Sequence, residues 1–450
     1  RSRGEPVNAR ETALHVVRDV FPAVAGSERG AQDAMEYRSR KAQLDARDRA
    51  FATELAYGAI KMRRTLDFYL EPFIGERPQP PPPAIHEILR LALYELVFTR
   101  ADEHATVFEF VNLAKKYGHR GVANLVNAVL RGFLRDRPPA PTRASFESED
   151  EYFGVAYSLP TWLVKQWRAV FGDAMLESIC AAVNDPARSA ITANPLLISR
   201  DALVAHLIES GIAAEPSPYV GESVLLSDAS YAARNEAQAQ GRWWTQSESS
   251  AMPAAILHPH PAEAVLDVCS GRGNKALQLG SRLAGDGTLL CVERDQRKAV
   301  VLERRLEIAG IAAGVVVGDA TGPILGASQR FDRILLDAPC SGTGVVGRHP
   351  EARWKKQLGD GERLAHTQRA LLDACSSHAF EGGALVYAVC STDPRETTEV
   401  VNAFLERHHF ERGLIPGVFE PFLSGLGDVV VPPGVGGRDG FYIARLERAS

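Results

Sequence analysis

Cysteine is scarce in this chain: 6 in 450 residues, with no CxxC pair and no regular spacing. That pattern excludes a disulfide framework and a thiolate zinc site, and it leaves reduced thiols that can serve as nucleophiles. The 12 histidines show no metal-ligand spacing, so no metal is expected. Long hydrophobic runs are missing as well. No stretch approaches the roughly 18 apolar residues of a membrane span, and the opening RSRGEPVNAR lacks a signal-peptide apolar segment. A soluble, cytoplasmic, monomeric protein without membrane partners is expected. An excess of basic charge is also missing. The net charge of -5 argues against a nonspecific nucleic-acid binder. KMRR (Lys61 to Arg64), AKKYGHRG (Ala114 to Gly121) and VLRGFLRDR (Val129 to Arg137) are local basic stretches, each reading first as a solvated helix face.

What is present is 45% hydrophobic content over 450 positions, too much chain for one core, so two or three domains are expected. Residues 1–140 read as an all-helical domain. In TALHVVRDVF, FATELAYGAIKMRRTLDFYLEPF and IHEILRLALYELVF, apolar residues recur at spacings of three and four. The run PQPPPPA (Pro78 to Ala84) is a stiff connector that places proline at a helix start. The polar, proline-rich stretch Arg135 to Asp150 then marks a boundary. Residues 151–245 mix signals and read as a small α+β accessory module. In it AITANPLLI suits a strand and SRDALVAHLIESGI a capped helix closed by Gly211. Residues 246–450 alternate strands and helices, which predicts an α/β domain with a parallel, Rossmann-like sheet. Its strands are AVLDV (264–268), TLLCVE (288–293), GVVVG (314–318), FDRILLD (331–337) and GALVYAV (383–389), with GFYIARL (440–446) as a late edge strand.

Ligands of such sheets bind at the carboxyl ends of the strands, where Asp267, Glu293, Asp319, Asp337 and Cys390 would lie together. After the first strand comes DVCSGRGNKA, Asp267 to Ala276, in which Gly271 and Gly273 permit a tight turn and a close backbone approach. Glu293, about twenty residues on, closes the second strand, where a carboxylate accepts ribose hydroxyls. The third glycine of the dinucleotide fingerprint is absent, which favours a single-nucleoside cofactor, S-adenosylmethionine, over NAD. Asp267, Cys269, Ser270, Gly271, Gly273, Lys275, Glu293, Asp319 and Asp337 form the expected cofactor set, Asp319 reaching the adenine amine.

Two cysteines directly follow strands: Cys340 in ILLDAPCSGTG and Cys390 in LVYAVCSTDP. A thiolate adds readily to electron-poor carbon. An acid beside it, Asp337, suits a pyrimidine substrate. Addition at C6 of cytosine builds density at N3, where a carboxyl group stabilises it, and C5 then becomes able to attack a methyl group. Cys180, Cys269, Cys291 and Cys375 read instead as small buried hydrophobes.

LDAPCSGTGVVGRHPEARW and YAVCSTDPRE resemble the two signature motifs of the RNA cytosine-5 methyltransferases of the Nol1/Nop2/Sun (Fmu) family. GRWWTQSESSAM, LDVCSGRGNKA and GRDGFYIARL are similar to its flanking motifs. DRAFATELAYGAIK, ILRLALYELVF and NLVNAVLRGFL resemble the NusB RNA-binding helical fold. This arrangement implies action on 16S rRNA. The resemblance implies that Cys390 bonds to C6, that Cys340 assists release, that Asp337 contacts N3, that the backbone at Ala338 and Pro339 reads the exocyclic amine, and that Lys275 lies near the reacting centre. Departures are SGRGNKA in place of the family's DxCAAPGGKT, Ser247 in place of an aspartate after glutamine, and no arginine before Asn194. Methylation of tRNA or another RNA, and a noncatalytic RNA-binding assembly factor on the same scaffold, are the alternative readings.

Overall fold

The computed structural model describes residues 8–22, 26–75, 80–227 and 235–449. Residues 1–7, and Pro78 and Gln79 of the proline run, lie outside the described residues. By internal contacts the chain forms two units, Arg1–Lys165 with His349–Lys355, and Gln166–Arg348 with Lys356–Ser450.

The first unit is helical: α1 (Ala9–Val20), α2 (Ala31–Ala42), α3 (Ala46–Lys61), α4 (Arg63–Ile74), α5 (Pro83–Phe98), α6 (Glu103–Tyr117) and α7 (Arg120–Asp136). Side chains of Asn8, Asp45 and Asp102 cap α1, α3 and α6 by accepting from otherwise unpaired first-turn amides. Pro83 opens α5, as the proline run predicts. The stretch FATELAYGAIKMRRTLDFYLEPF is not one helix but two, parted at Met62. Helix α5 is the central one, with Ile85, Ile88, Leu89, Leu91, Ala92 and Leu93 all buried. Each such side chain contributes about 1.5–3 kcal/mol by leaving water. The charges around α5 enter this core in pairs. Arg90 donates to Asp67 and to Glu87, Arg63 to Glu87, and Arg10 to Glu95. The segment His349–Lys355 folds into the same unit, where buried Arg353 donates to the Ser158 carbonyl at 3.0 Å and Trp354 Nε1 to the Ile60 carbonyl at 2.6 Å.

The second unit holds two sheets. The smaller is antiparallel, in the order β2-β3-β1-β4, from β1 (Ser189–Ala193), β2 (Ala214–Pro216), β3 (Ser223–Leu226) and β4 (Trp243–Thr245). AITANPLLI keeps strand form only to Ala193. There the Asn194 side chain donates to the carbonyls of Gly241 and Ala309, both at 2.9 Å, and accepts from Leu196 N, which turns the chain. The larger sheet contains β5 (Ala264–Val268), β6 (Thr288–Glu293), β7 (Gly314–Val317), β8 (Phe331–Asp337), β9 (Ala379–Val389), β10 (Phe410–Arg412), β11 (Val429–Val431) and β12 (Phe441–Arg448). Its order is β10-β12-β9-β8-β5-β6-β7, with β11 also on β12. The run β9-β8-β5-β6-β7 is parallel, as the alternation of strands and helices predicts.

GFYIARL is not an edge strand. β12 pairs antiparallel with β9 on one side and with β10 and β11 on the other. Phe441 and Ile443 face one core and Tyr442, Ala444 and Leu446 the other, so both faces of the strand are buried. The three classes of architecture therefore stand as expected: an all-α part, a small α+β part, and an α/β part with a parallel, Rossmann-like run of strands. Among the described residues no helix is long and apolar enough to cross a membrane.

Candidate active site

Connections leaving β5 and β8 run to opposite sides of the sheet, so a crevice opens at their carboxyl ends. The loop after β5 takes positive φ at Cys269 (62°), Gly271 (59°) and Gly273 (93°). A Cβ on Gly273 would meet Leu302 Cδ1 at 2.6 Å, so no larger residue fits there. Cys269 adopts this conformation without being glycine, at a cost of order 1 kcal/mol or more, as happens at loops shaped for a ligand. Glu293 holds the loop: its Oε2 accepts from Gly271 N and its Oε1 from Asp295 N, both at 2.8 Å. Those bonds occupy about half of its acceptor capacity and leave the rest open to the donors of a ligand.

Ser270 donates from Oγ to the Asp267 carbonyl at 2.9 Å and from N to the Val292 carbonyl at 3.1 Å. The Asp267 carboxyl is fully buried, and neither oxygen has a hydrogen-bond partner among the described residues. Burial pushes it up to about 7, although Ser270 and Lys275 pull the other way. An orphaned buried carboxyl beside a strained loop fits a site for a bound cofactor. Asp319 stands apart, past β7, two strands from β5. Its exposed carboxylate accepts from Thr321 N and Oγ1, which hold it below the usual carboxylate range. The unusual loop residues are satisfied locally. Asn274 donates to the Thr245 carbonyl at 3.1 Å and accepts from Arg305 at 2.6 Å, and Ser247 caps the helix Glu248–Leu257.

Lys275, on the helix Asn274–Arg282, crosses the crevice. Its Nζ lies 2.6 Å from Asp337 Oδ2 and 3.2 Å from Ser250 Oγ, with the Phe441 ring at 5.5 Å. An ammonium this buried needs such a partner, so the pair fixes the direction of the Asp337 carboxylate at the end of β8.

Cys340 and Cys390 meet beside it, Sγ to Sγ at 3.1 Å, well beyond the roughly 2.05 Å of a disulfide, and both are free thiols. The hydrogen bond to Cys390, burial, and the charges of Cys390 and Glu396 push the Cys340 thiol well above its ordinary value. Cys340 therefore holds its proton more firmly than an ordinary thiol, and either sulfur can be the donor in the contact between them. Ala338 is buried, and its N donates to the Ala388 carbonyl at 2.9 Å. Pro339 is exposed, and its carbonyl accepts from Gln368 Nε2 at 2.9 Å. The remaining thiols are Cys180, Cys291 and Cys375, all buried, and half-buried Cys269. Burial raises Cys291 and Cys269, and Cys375 to about 12, which keeps them protonated.

Sequence reading missed the frame that holds the two sulfurs. Glu396, fully buried, accepts from Ser341 N at 2.8 Å, from Gln368 Nε2 at 3.0 Å and from the hydroxyls of Ser341 and Ser391. Ser341 and Ser391 also touch each other at 3.1 Å, and Thr343 reaches Ser391 and Thr392. A signal was there to be read, because each cysteine is followed directly by serine, and Glu396 ends the second motif.

Known proteins resemble this chain over most of its length. The model of the 16S rRNA methyltransferase RsmB/F family matches residues 254–447, that of the NusB family residues 7–135, and that of the RsmF/B-like ferredoxin-like domain residues 159–232. The chain is 34% identical to the ribosomal RNA small subunit methyltransferase B of Thermus thermophilus, over 93% of this chain and 94% of the relative. It is 31% identical to the probable ribosomal RNA small subunit methyltransferase B of Bacillus subtilis, over 90% and 92%. Its fold matches the crystal structure of PH0851 across the whole of both chains, with a TM-score of 0.80 at 22% identity. The crystal structure of NSun6 from Pyrococcus horikoshii with SFG matches 65% of this chain and 98% of its own, with a TM-score of 0.57 at 20% identity. This chain belongs to the RsmB/F family of 16S rRNA methyltransferases.

Proposed function

We propose that the protein transfers a methyl group from S-adenosylmethionine to C5 of a cytosine in 16S rRNA, through a covalent adduct between Cys390 and C6. The observation that carries this reading is the Cys340 and Cys390 sulfur pair, 3.1 Å apart beside the Lys275 and Asp337 pair. S-adenosylmethionine supplies an electrophilic methyl group; Glu293 would hold its ribose, and the Cys269 to Gly273 loop its methionine end.

Named groups carry the addition and the release. Cys390, as thiolate, forms the sulfur to C6 bond, while Asp337, taking a proton from the Lys275 ammonium 2.6 Å away, donates it to N3 and so stabilises the density that gathers there. The exocyclic amine is read by backbone at Ala338 and Pro339. C5 takes the methyl group, a base removes the C5 proton, and the electrons of that bond expel the Cys390 sulfur. The Cys340 thiol donates a hydrogen bond to the departing thiolate and so assists release. Three modules share the work: residues 1–140 bind RNA, 151–245 are an accessory module, and 246–450 carry the methyl transfer. Bisulfite sequencing of small-subunit rRNA from cells with and without the protein tests the reading. One protected cytosine should become convertible in its absence, and an unchanged pattern contradicts the proposal.

A further inference from the structure

Helices α6 and α7 enclose a groove of about 340 Å³, lined by Val107, Phe108, Val111, Lys115, Asn127 and Arg131 among others. Three features set it apart from an ordinary helix seam. Phe108 is 64% exposed, and no large hydrophobic side chain reported as exposed among the described residues, except Leu414, is more so. Two cations are held in place without being neutralised. Lys115 Nζ donates to Asn112 Oδ1 at 2.9 Å and Arg131 Nε to Asn127 Oδ1 at 3.0 Å, and among the described residues neither has a carboxylate partner. The sign of the charge is local: Lys115, Arg131 and Arg135 face a single lining carboxylate, Glu103, in a chain whose net charge is -5.

An amide oxygen orients a cation yet leaves its full charge, whereas a carboxylate cancels it. An exposed aromatic ring beside two such cations meets the needs of an unpaired nucleotide, whose base stacks on the ring and whose phosphates lie against the cations. An amphipathic protein helix would need the apolar floor but would gain nothing from unpaired cations on it. We propose that this α6 and α7 groove binds a single-stranded RNA segment, with Phe108 as the stacking platform and Lys115 and Arg131 as the phosphate contacts. The site deepens the proposed function, and rests on it only for the identity of the RNA.

The test uses the full chain, a fluorescein-labelled oligouridylate and fluorescence anisotropy over a salt series. Base stacking of this kind is worth about 1–3 kcal/mol, so Phe108→Ala should weaken binding roughly 5-fold to 150-fold, while Phe108→Tyr restores it. Lys115→Ala with Arg131→Ala should weaken binding and lower the salt slope by about 1.4, that is roughly 0.7 for each lost phosphate contact. All three side chains replaced in these variants are at the surface, so melting temperatures should match the wild type. Failure of the wild-type protein to bind the oligomer, or equal affinity and slope in all variants, overturns the site and leaves the groove to another partner. Methyl incorporation into 16S rRNA is measured on the same proteins: KM should rise with kcat unchanged. Binding that follows the variants without any wild-type methyl transfer would sink the proposed reaction and keep the groove. Methyl transfer with variant-independent binding would do the reverse.

Discussion

Buried polar groups are treated differently in the two units. In the helical unit the charges buried around α5 are matched: Arg90 lies between Asp67 and Glu87, and Arg10 grips Glu95. At the carboxyl ends of β5, β8 and β9 the matching stops short. The Asp267 carboxyl has no hydrogen-bond partner among the described residues, Cys340 retains a proton against a neighbouring sulfur, and Cys269 sits at positive φ. Complete pairing is what a scaffold needs. Incomplete pairing costs stability and is retained where a ligand or a reacting atom supplies the missing partner.

The comparison can be broken at four points. The largest effect is expected at Cys390. Cys390→Ala should lower methyl transfer to rRNA by on the order of a thousandfold or more, with little change in melting temperature, measured as labelled methyl incorporation. Second is the matched side: Arg90→Ala takes away the cation that Asp67 and Glu87 share, leaving Glu87 to Arg63 and Asp67 to His86, and should destabilise the fold by about 3 kcal/mol in denaturant titration, with methyl transfer per folded molecule unchanged. An equal loss of activity would mean that the helical unit's charge pairs are part of the catalytic site.

Third is the frame beneath the sulfurs. Glu396→Gln removes a charge that accepts from a fixed amide, Ser341 N, and should cost about 1.5–3 kcal/mol. It also removes one of the charges that raise the Cys340 thiol. Iodoacetamide labelling of Cys340, read by mass spectrometry, should therefore begin at lower pH than in the wild type. A stability loss with no shift in labelling would make Glu396 a purely structural group.

The fourth effect has the opposite sign: it is a stabilisation. Asp267 ionises near 3.8 when unfolded and near 7 when folded. The unfolded chain loses its proton first, so folding weakens as pH rises from about 4 to about 7 and no further above that. Each tenfold difference in proton affinity is worth about 1.4 kcal/mol. Asp267→Asn removes this penalty, so the variant should melt above the wild type at pH 8, the gap closing towards pH 4, while affinity for S-adenosylmethionine falls in calorimetry. A variant that melts lower at pH 8 would show that Asp267 has a partner in the folded protein.

How much of this was legible in the sequence varies with the range of the interaction. The parallel strands were legible because buried strands are nearly unbroken apolar runs, and the residues closing β5, β6 and β8 could be named from those runs alone. The place of β12 was not, since a strand buried on both faces by late antiparallel partners reads like any short apolar run. Met62 as a break was hidden because helical periodicity continues through it. At the site, Asp337, Cys340 and Cys390 could be picked out by residue type, but their 3.1 Å and 2.6 Å contacts join positions 50 and 62 residues apart, which spacing cannot reveal. Glu396 was missed because its role is to accept hydrogen bonds from backbone and hydroxyls, which leaves no pattern of its own.

The division of labour between the two sulfurs is tested most directly by trapping. Cys340→Ala and Cys390→Ala proteins are incubated with labelled 16S rRNA and S-adenosylmethionine and run on a denaturing gel. The account predicts a covalent protein and RNA band for Cys340→Ala, where addition survives and release fails, and none for Cys390→Ala. A band from Cys390→Ala and none from Cys340→Ala would contradict it and exchange the two roles.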